Sequence, residues 1–300
     1  MNIKSFSLSL SLSLCLSLCS FSQKPYYADH QVFNVNKLEP HADFFEFESK
    51  DLAKKSNPDL SSRYLSLNGI WKFHWVKSPK DRPLDFYKKD YDDSSWGSIK
   101  VPANWEVEGY GNPIYLDERY PFTTKWPDVP VDYNPVGTYR LEFNIPDNWN
   151  DQIILHFAAA KALYLYINGE FVGYSQGSKT PAEFDITKYV NKGQNLIAIQ
   201  MYRWTDASYL ESQDMLRMSG IEREVYIYSK PKTSIKDLGV IADLDHAYKN
   251  GKLSLEFDIS AHQNNTNRRL SIELRNKDLA VWKYKQALDL DEGVNHFEIK

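Results

Sequence analysis

The chain has 300 residues, a formal net charge of −4, and 42% hydrophobic against 25% charged residues. That balance excludes an intrinsically disordered chain, which needs low hydrophobicity and high net charge, and it leaves no basic excess to attract nucleic acid. No apolar run is long enough to hold a bilayer span, and an aromatic content of 14% beside 4 Met and 2 Cys favours strands over helices.

Residues 1–22 read as an export signal. Lys4 supplies the positive start, Phe6–Leu18 is a Leu/Ser stretch of the right length, and Ser20 and Ser22 sit where a signal peptidase wants small residues. Leu14 and Leu18 before the two cysteines do not suit a lipoprotein signal. Cleavage after Ser22 removes Cys15 and Cys19, so the exported chain is expected to fold without a disulfide and without membrane insertion.

Residues 23–62 are polar and aperiodic, and we read them as an extended N-terminal arm, with Lys50–Lys55 no more than a short turn. Such an arm is also suited to contacts between copies of the chain in a homo-oligomer. Strand patterns begin at Ile70–Val76, entered through the turn dipeptide Asn68-Gly69. They continue at Thr138–Ile145, Ile153–Phe157, Leu163–Ile167, Phe171–Tyr174, Leu196–Arg203 and Glu224–Tyr228, with Asn168-Gly169 marking a two-residue hairpin. Pro102, Pro113, Pro121, Pro127, Pro130 and Pro135 exclude a helix or an inner strand from the stretch they share. A β-sandwich over residues 63–231 is expected.

A second strand series follows Pro231: Leu253–Ile259, Leu270–Leu274, Val281–Tyr284 and His296–Ile299, separated by loops at Asn264–Asn267 and Asp291–Gly293. An immunoglobulin-like sandwich takes about 100 residues. Residues 232–300 are therefore expected to be an incomplete domain, and the chain the front of something longer.

Chemistry is hard to find. The seven histidines are scattered without an i, i+4 pair, and neither a Gly-rich phosphate loop nor a nucleophile elbow is present. Glycoside hydrolysis needs two carboxylates about 5–5.5 Å apart in retaining enzymes, and none of the many Asp and Glu stands in a context marking such a pair. One stretch, Arg203–Ile221, mixes both charge signs with Trp, Tyr, Leu and Met and has no clean period. Its charged residues Arg203, Glu211, Asp214 and Arg217 are expected to pair with one another beside the core. A carboxylate among aromatics, as at Asp206, is equally what a sugar site uses.

Several segments are familiar. Leu67–Phe73, Val101–Trp105, Asn112–Tyr115 and Asn134–Tyr139, the hairpin Asn168-Gly169 with Val172–Tyr174, then Glu183–Thr187 and finally the 203–221 stretch follow one another as in glycoside hydrolase family 2. Over roughly residues 26–240 the chain resembles the opening domain of that family's β-galactosidases. The resemblance implies an all-β architecture: a jelly-roll, galactose-binding-like sandwich and then a truncated immunoglobulin-like sandwich. A barrel beyond residue 300 would carry the two catalytic glutamates and the magnesium ligands. It implies a retaining hydrolase of terminal β-D-galactosyl residues, in which Asp206 contacts the galactosyl end and helps hold a sodium ion. In the Pro-rich stretch the family usually has Asn in a Tyr-Pro-x-x-x-Asn-Pro-Pro context; here Lys125 stands there, followed by Trp126, and both are carried over as substrate-binding candidates. Lys offers a charge and donors only, where Asn both donates and accepts. Trp126 is placed to stack on a sugar ring, whereas Trp71, Trp75, Trp96, Trp105 and Trp149 read as packing and Trp204 as support for Asp206. A stand-alone carbohydrate-binding sandwich, another glycosidase of the family and an assembly module are the competing readings.

Overall fold

Leu163, Leu165 and Ile167 are buried while Tyr164 and Tyr166 between them face outward, the period-two pattern of a strand with one face on a core. This strand is part of a seven-stranded antiparallel sheet in a computed structural model that describes residues 24–300 except Glu118 and Ser212. The sheet runs in the order Asn34–Val35, Glu170–Ser175, Leu163–Ile167, Gly193–Tyr202, Val136–Ile145, Gly69–Val76, Gly97–Val101. A four-stranded sheet faces it, ordered Ala182–Asp185, Gln152–Phe157, Val225–Lys230, Tyr64–Ser66. The structure is all-β, with 47% strand and 7% helix.

The two inner faces meet in one core containing Trp71, Phe73, Trp105, Leu155, Phe157, Leu165, Phe184 and Ile199. Full burial of each such side chain contributes roughly 1.5–3 kcal/mol. Gly193–Tyr202 lies inside the large sheet, paired with Val136–Ile145 on one side and Leu163–Ile167 on the other. Its outer face is also covered, so it reads as a nearly continuous buried run. The Asn168-Gly169 turn has φ of 54° and 92°, the left-handed pair that a tight hairpin needs, and it joins Ile167 directly to Glu170.

Both outer faces carry a surface layer formed by the N-terminal segment. Within it Asn34–Val35 pairs with Ser175 and Tyr174 as the edge strand of the large sheet. Tyr26 and Tyr27 stack on Tyr164 and Tyr202 at centroid distances of 5.7 and 4.0 Å. Lys50–Lys55 is a six-residue α-helix, started by Ser49 Oγ accepting from the Leu52 N–H and stopped by Ser56 in the left-handed region. Such a short helix lacks an apolar stripe long enough to register as a period.

The second series forms a three-stranded sheet, Ser234–Leu244, Gly251–Ala261 and Gly293–Ile299, and a pair, Asn265–Asn276 with Leu279–Leu290. Leu255, Phe257, Ile259, Leu288, Leu290 and Ile299 make its core. Asn264–Asn267, expected as a loop, runs into a strand instead. The strand starts at Asn265 with an irregular register before Arg268 and Asn267 at φ 55°, so turn-type residues sit within a bulge. The Ala42 N–H donates to Asp237 Oδ1 at 2.8 Å, and Lys50 Nζ lies 3.3 Å from Glu273. The N-terminal segment therefore touches both sandwiches. Among the described residues no helix is long and apolar enough to cross a membrane. The export signal read at residues 1–22, with both cysteines, lies outside the described residues.

Candidate functional site

Where the Gly193–Tyr202 strand ends, the chain enters the 203–221 loop, and each of its first residues is fastened from elsewhere. Arg203 is 2% exposed; its Nη2 donates to the carbonyls of Asn112 and Arg217 at 2.9 Å each, and Nη1 lies 3.6 Å from Glu106 Oε1. Its guanidinium also sits 4.9 Å over the Trp204 ring. Asn134, fully buried, brackets the Trp204 backbone: Oδ1 accepts from the Trp204 N–H at 2.8 Å and Nδ2 donates to its carbonyl at 2.9 Å. The Thr205 N–H donates to Ser208 Oγ at 3.0 Å, which starts the single helical turn Asp206–Tyr209.

The expected mutual pairing of Arg203, Glu211, Asp214 and Arg217 is not what forms. Arg203 takes Glu106 instead, Glu211 is held by Lys161 at 3.4 Å and by the Ser178 N–H and hydroxyl, and Asp214 accepts from the Tyr115 hydroxyl. Arg217 donates to the carbonyls of Glu211 and Leu116 at 2.7 and 3.1 Å. Buried guanidinium groups here donate to backbone carbonyls rather than to the neighbouring carboxylates, which the charge pattern of the sequence does not reveal.

Asp206 is half-buried. Its Oδ2 accepts from Gln176 Nε2 at 3.1 Å, while Oδ1 is buried with no hydrogen-bond partner among the described residues. Burial pushes the carboxyl above its ordinary value, and the bond from Gln176 and the nearby Asp206 backbone N–H work the other way. A buried carboxylate oxygen without a donor carries an uncompensated desolvation cost, so it is suited to a hydroxyl or a hard cation arriving from outside. Among the described residues there is no group of three or more His, Cys, Asp or Glu side chains placed to hold a metal ion.

Tyr209, at the end of the same turn, ties it to the Pro-rich segment. Its hydroxyl donates to the Asp128 carbonyl at 2.7 Å and accepts from the Lys125 N–H at 3.2 Å, and its carbonyl accepts from the Tyr120 hydroxyl at 3.0 Å. The Trp126 ring lies 3.9 Å from the Tyr209 ring and is 58% exposed. Lys125 projects into solvent, 3.8 Å from Asp128 Oδ2. The structure brings Trp126 and Lys125 to the Asp206 turn through Tyr209, without direct contact between them and the Asp206 carboxylate. Trp204 is buried, as are Trp71, Trp96, Trp105 and Trp149. A groove of about 770 Å³ runs between the N-terminal segment and the Pro-rich segment, walled by Lys24, Tyr27, Phe122, Lys125, Asp132 and Trp204. A smaller cavity of about 220 Å³ lies beside Lys161, Ser178, Glu211 and Arg217, also against Trp204. Asp206 is in the wall of neither. Sequence reasoning missed Gln176, Tyr209, Asn134 and Glu106 as supports; their partners lie 30 to 113 residues away, and only Asn134 and Tyr209 stood in segments singled out for their pattern.

Residues 64–231 match the profile of the glycosyl hydrolases family 2 sugar binding domain. A beta-galactosidase of Priestia megaterium is 40% identical over 263 residues, covering 86% of this chain and 25% of that protein. A beta-galactosidase of Halalkalibacterium halodurans is 41% identical over 241 residues, covering 78% and 24%. The chain belongs to glycosyl hydrolase family 2. This family 2 chain spans about a quarter of the length of those curated relatives. Among solved structures, Bacteroides uniformis beta-glucuronidase 2, covalently bound to cyclophellitol-6-carboxylate aziridine, superposes with a TM-score of 0.62 at 23% identity, over 79% of this chain and 27% of that one. A family 2 member from Bacteroides cellulosilyticus gives 0.58 at 19%, over 79% and 31%. At these identities the likeness shows the fold alone. The family 2 region matched contains the whole 203–221 loop together with Glu106, Asn134 and Gln176.

Proposed function

We propose that the intact protein is an exported β-galactosidase that removes terminal non-reducing β-D-galactosyl residues with retention of configuration. This chain would supply a sugar-facing loop, and the two bond-breaking carboxylates would stand in segments outside it. Support comes from the beta-galactosidase relatives at 40–41% identity and from the loop itself. The observation that carries the reading is Asp206 Oδ1, a buried carboxylate oxygen without a partner among the described residues, on a loop braced by a rigid sandwich.

In this reading Asp206 accepts a hydrogen bond from a galactosyl hydroxyl and is one ligand of a sodium ion, whose charge would favour the ionised carboxylate. Trp126, one ring face against Tyr209, offers its other face to the apolar side of a sugar. Lys125 donates to sugar hydroxyls where a neutral amide would both donate and accept. Magnesium, if it serves the full-length enzyme, would bind outside this chain. The chain alone should show no turnover, because double displacement needs both carboxylates.

The test is a panel of aryl β-D-galactoside, β-D-glucuronide and β-D-mannoside with the full-length protein. Preferred turnover of the galactoside is expected; preference for either of the others would assign a different glycosidase of the family. Binding of galactose by the full-length protein with no turnover of any glycoside would favour a carbohydrate-binding protein instead.

A further inference from the structure

Gln176 follows the strand that pairs with the N-terminal segment, and it is 5% exposed. Its backbone N–H donates to the Phe33 carbonyl at 3.2 Å, continuing the pairing of Asn34 with Ser175 and Val35 with Tyr174. The side-chain amide bridges two groups. Nε2 donates to Asp206 Oδ2 at 3.1 Å, and Oε1 accepts from the Tyr174 hydroxyl at 2.7 Å. Tyr174 is fully buried, with the rings of Tyr164 and Tyr26 at centroid distances of 4.8 and 5.5 Å.

The direction of this chain of bonds follows from its last member. An ionised carboxylate only accepts, so the amide must present its NH2 to Asp206. The amide oxygen then faces Tyr174, whose hydroxyl must donate. The terminal torsion of an aspartate is broad and two-fold, so rotamer preference alone does not decide which oxygen points where. Here a buried amide occupies Oδ2, and Oδ1 is the oxygen left without a partner.

We infer that Tyr174 and Gln176 are positioning residues for Asp206: they set the rotation of its carboxylate so that Oδ1 is the oxygen presented to the sugar hydroxyl or cation. The inference rests on the β-galactosidase reading of Asp206, and its test separates the two. Because Tyr174 and Gln176 lie beside the Asn34–Val35 edge strand, the N-terminal segment becomes part of the support of the site.

The experiment uses the full-length protein and an aryl β-D-galactoside, comparing wild type, Gln176→Met, Tyr174→Phe and Asp206→Ala. Loss of a hydrogen bond to a charged group is expected to lower kcat/KM about tenfold or more in Gln176→Met, with a smaller loss in Tyr174→Phe. The loss should fall mainly on KM, because a misturned carboxylate weakens its hold on the sugar hydroxyl without touching the bond-breaking groups. A purely structural role would lower the unfolding temperature without raising KM. If Gln176→Met does not fold, Tyr174→Phe, nearly the same shape, decides by the same two readouts. Wild-type kcat/KM and KM in the folded variants, with Asp206→Ala impaired, would overturn the inference. Wild-type kcat/KM in Asp206→Ala would overturn the reading beneath it.

Discussion

His41 Nε2 lies 2.8 Å from Glu183 Oε2, fastening the N-terminal segment over the outer face of the four-stranded sheet. Glu183 is buried and also takes His156 Nδ1 at 2.8 Å and the Tyr228 hydroxyl at 3.0 Å, while its carbonyl accepts from the Leu38 N–H. One carboxylate therefore joins the sandwich to the segment that reaches Asp237 in the second series of strands.

Stability should depend on pH through this contact. Burial pushes the Glu183 carboxyl up, but hydrogen bonds from His156 and His41 outweigh it and hold the group at about 2, below its ordinary 4.5. Its contribution is full above 4.5 and is lost as pH falls toward about 2. The bond to Glu183 raises His41 above 6.5, so that share is full below 6.5 and is lost as pH rises through the folded value. The contact is strongest between 4.5 and 6.5. Denaturation of wild type and Glu183→Gln across acid and neutral pH should show a difference on the order of 3 kcal/mol in that window, shrinking on both sides. A difference independent of pH would remove the ionised contact.

Glu106 and Arg203 form a buried ion pair under the loop, each side chain 1% exposed. Glu106→Leu should destabilise by about 3–5 kcal/mol because it leaves the guanidinium charge buried beside carbonyls and the Trp204 ring, and the buried Ser219 N–H without its acceptor. Arg203→Met combined with Glu106→Leu should recover part of that loss. A double-mutant cycle by urea denaturation measures the coupling, and additive losses would mean the 3.6 Å contact carries no energy of its own.

Gly137 has no room for a side chain: a Cβ there would lie 2.3 Å from Trp105 Cζ2 and 2.8 Å from Phe73 Cε2. Gly137→Ala should cost about 1–3 kcal/mol or more through forced repacking of the core. At Gly193, with φ 78°, nothing lies within 4 Å, so Gly193→Ala meets only backbone strain of about 1 kcal/mol. Thermal unfolding of the two variants compares crowding with strain directly, and equal losses would contradict the packing described.

Elements decided by local pattern could be read from sequence, and those decided by distant partners could not. The alternation of Leu163–Ile167 and the Asn168-Gly169 turn are local and stand in the structure as expected. A second series beginning near Ser234 is expected from sequence, but the bounds of Ser234–Leu244 are not legible there because its outer half is exposed on both faces; Gly97–Val101 escaped notice because it is five residues long and precedes a proline. Asn34–Val35 is two residues long and is made a strand only by its partner. At the site, Asp206 and its aromatic setting were legible as a type of residue in a type of loop. The Gln176 amide on that carboxylate and the Glu106 beneath Arg203 were not, since loop closure rather than periodicity places them.

Trp126 should matter for sugar and little for folding. Exposed, and tilted against the Tyr209 ring on one side, it buries little that folding depends on. Trp126→Ala in the full-length protein should raise KM for an aryl galactoside several-fold while changing stability by less than about 1 kcal/mol. An unchanged KM would return Trp126 to a packing role.

The most direct measurement is kcat/KM of Asp206→Ala against wild type in the full-length protein with an aryl β-D-galactoside, alongside thermal unfolding. Losing a buried oxygen aimed at substrate or cation should lower kcat/KM by about a hundredfold or more, with the unfolding temperature nearly unchanged. Wild-type kcat/KM in a folded Asp206→Ala enzyme would contradict the assignment of this loop to the sugar site.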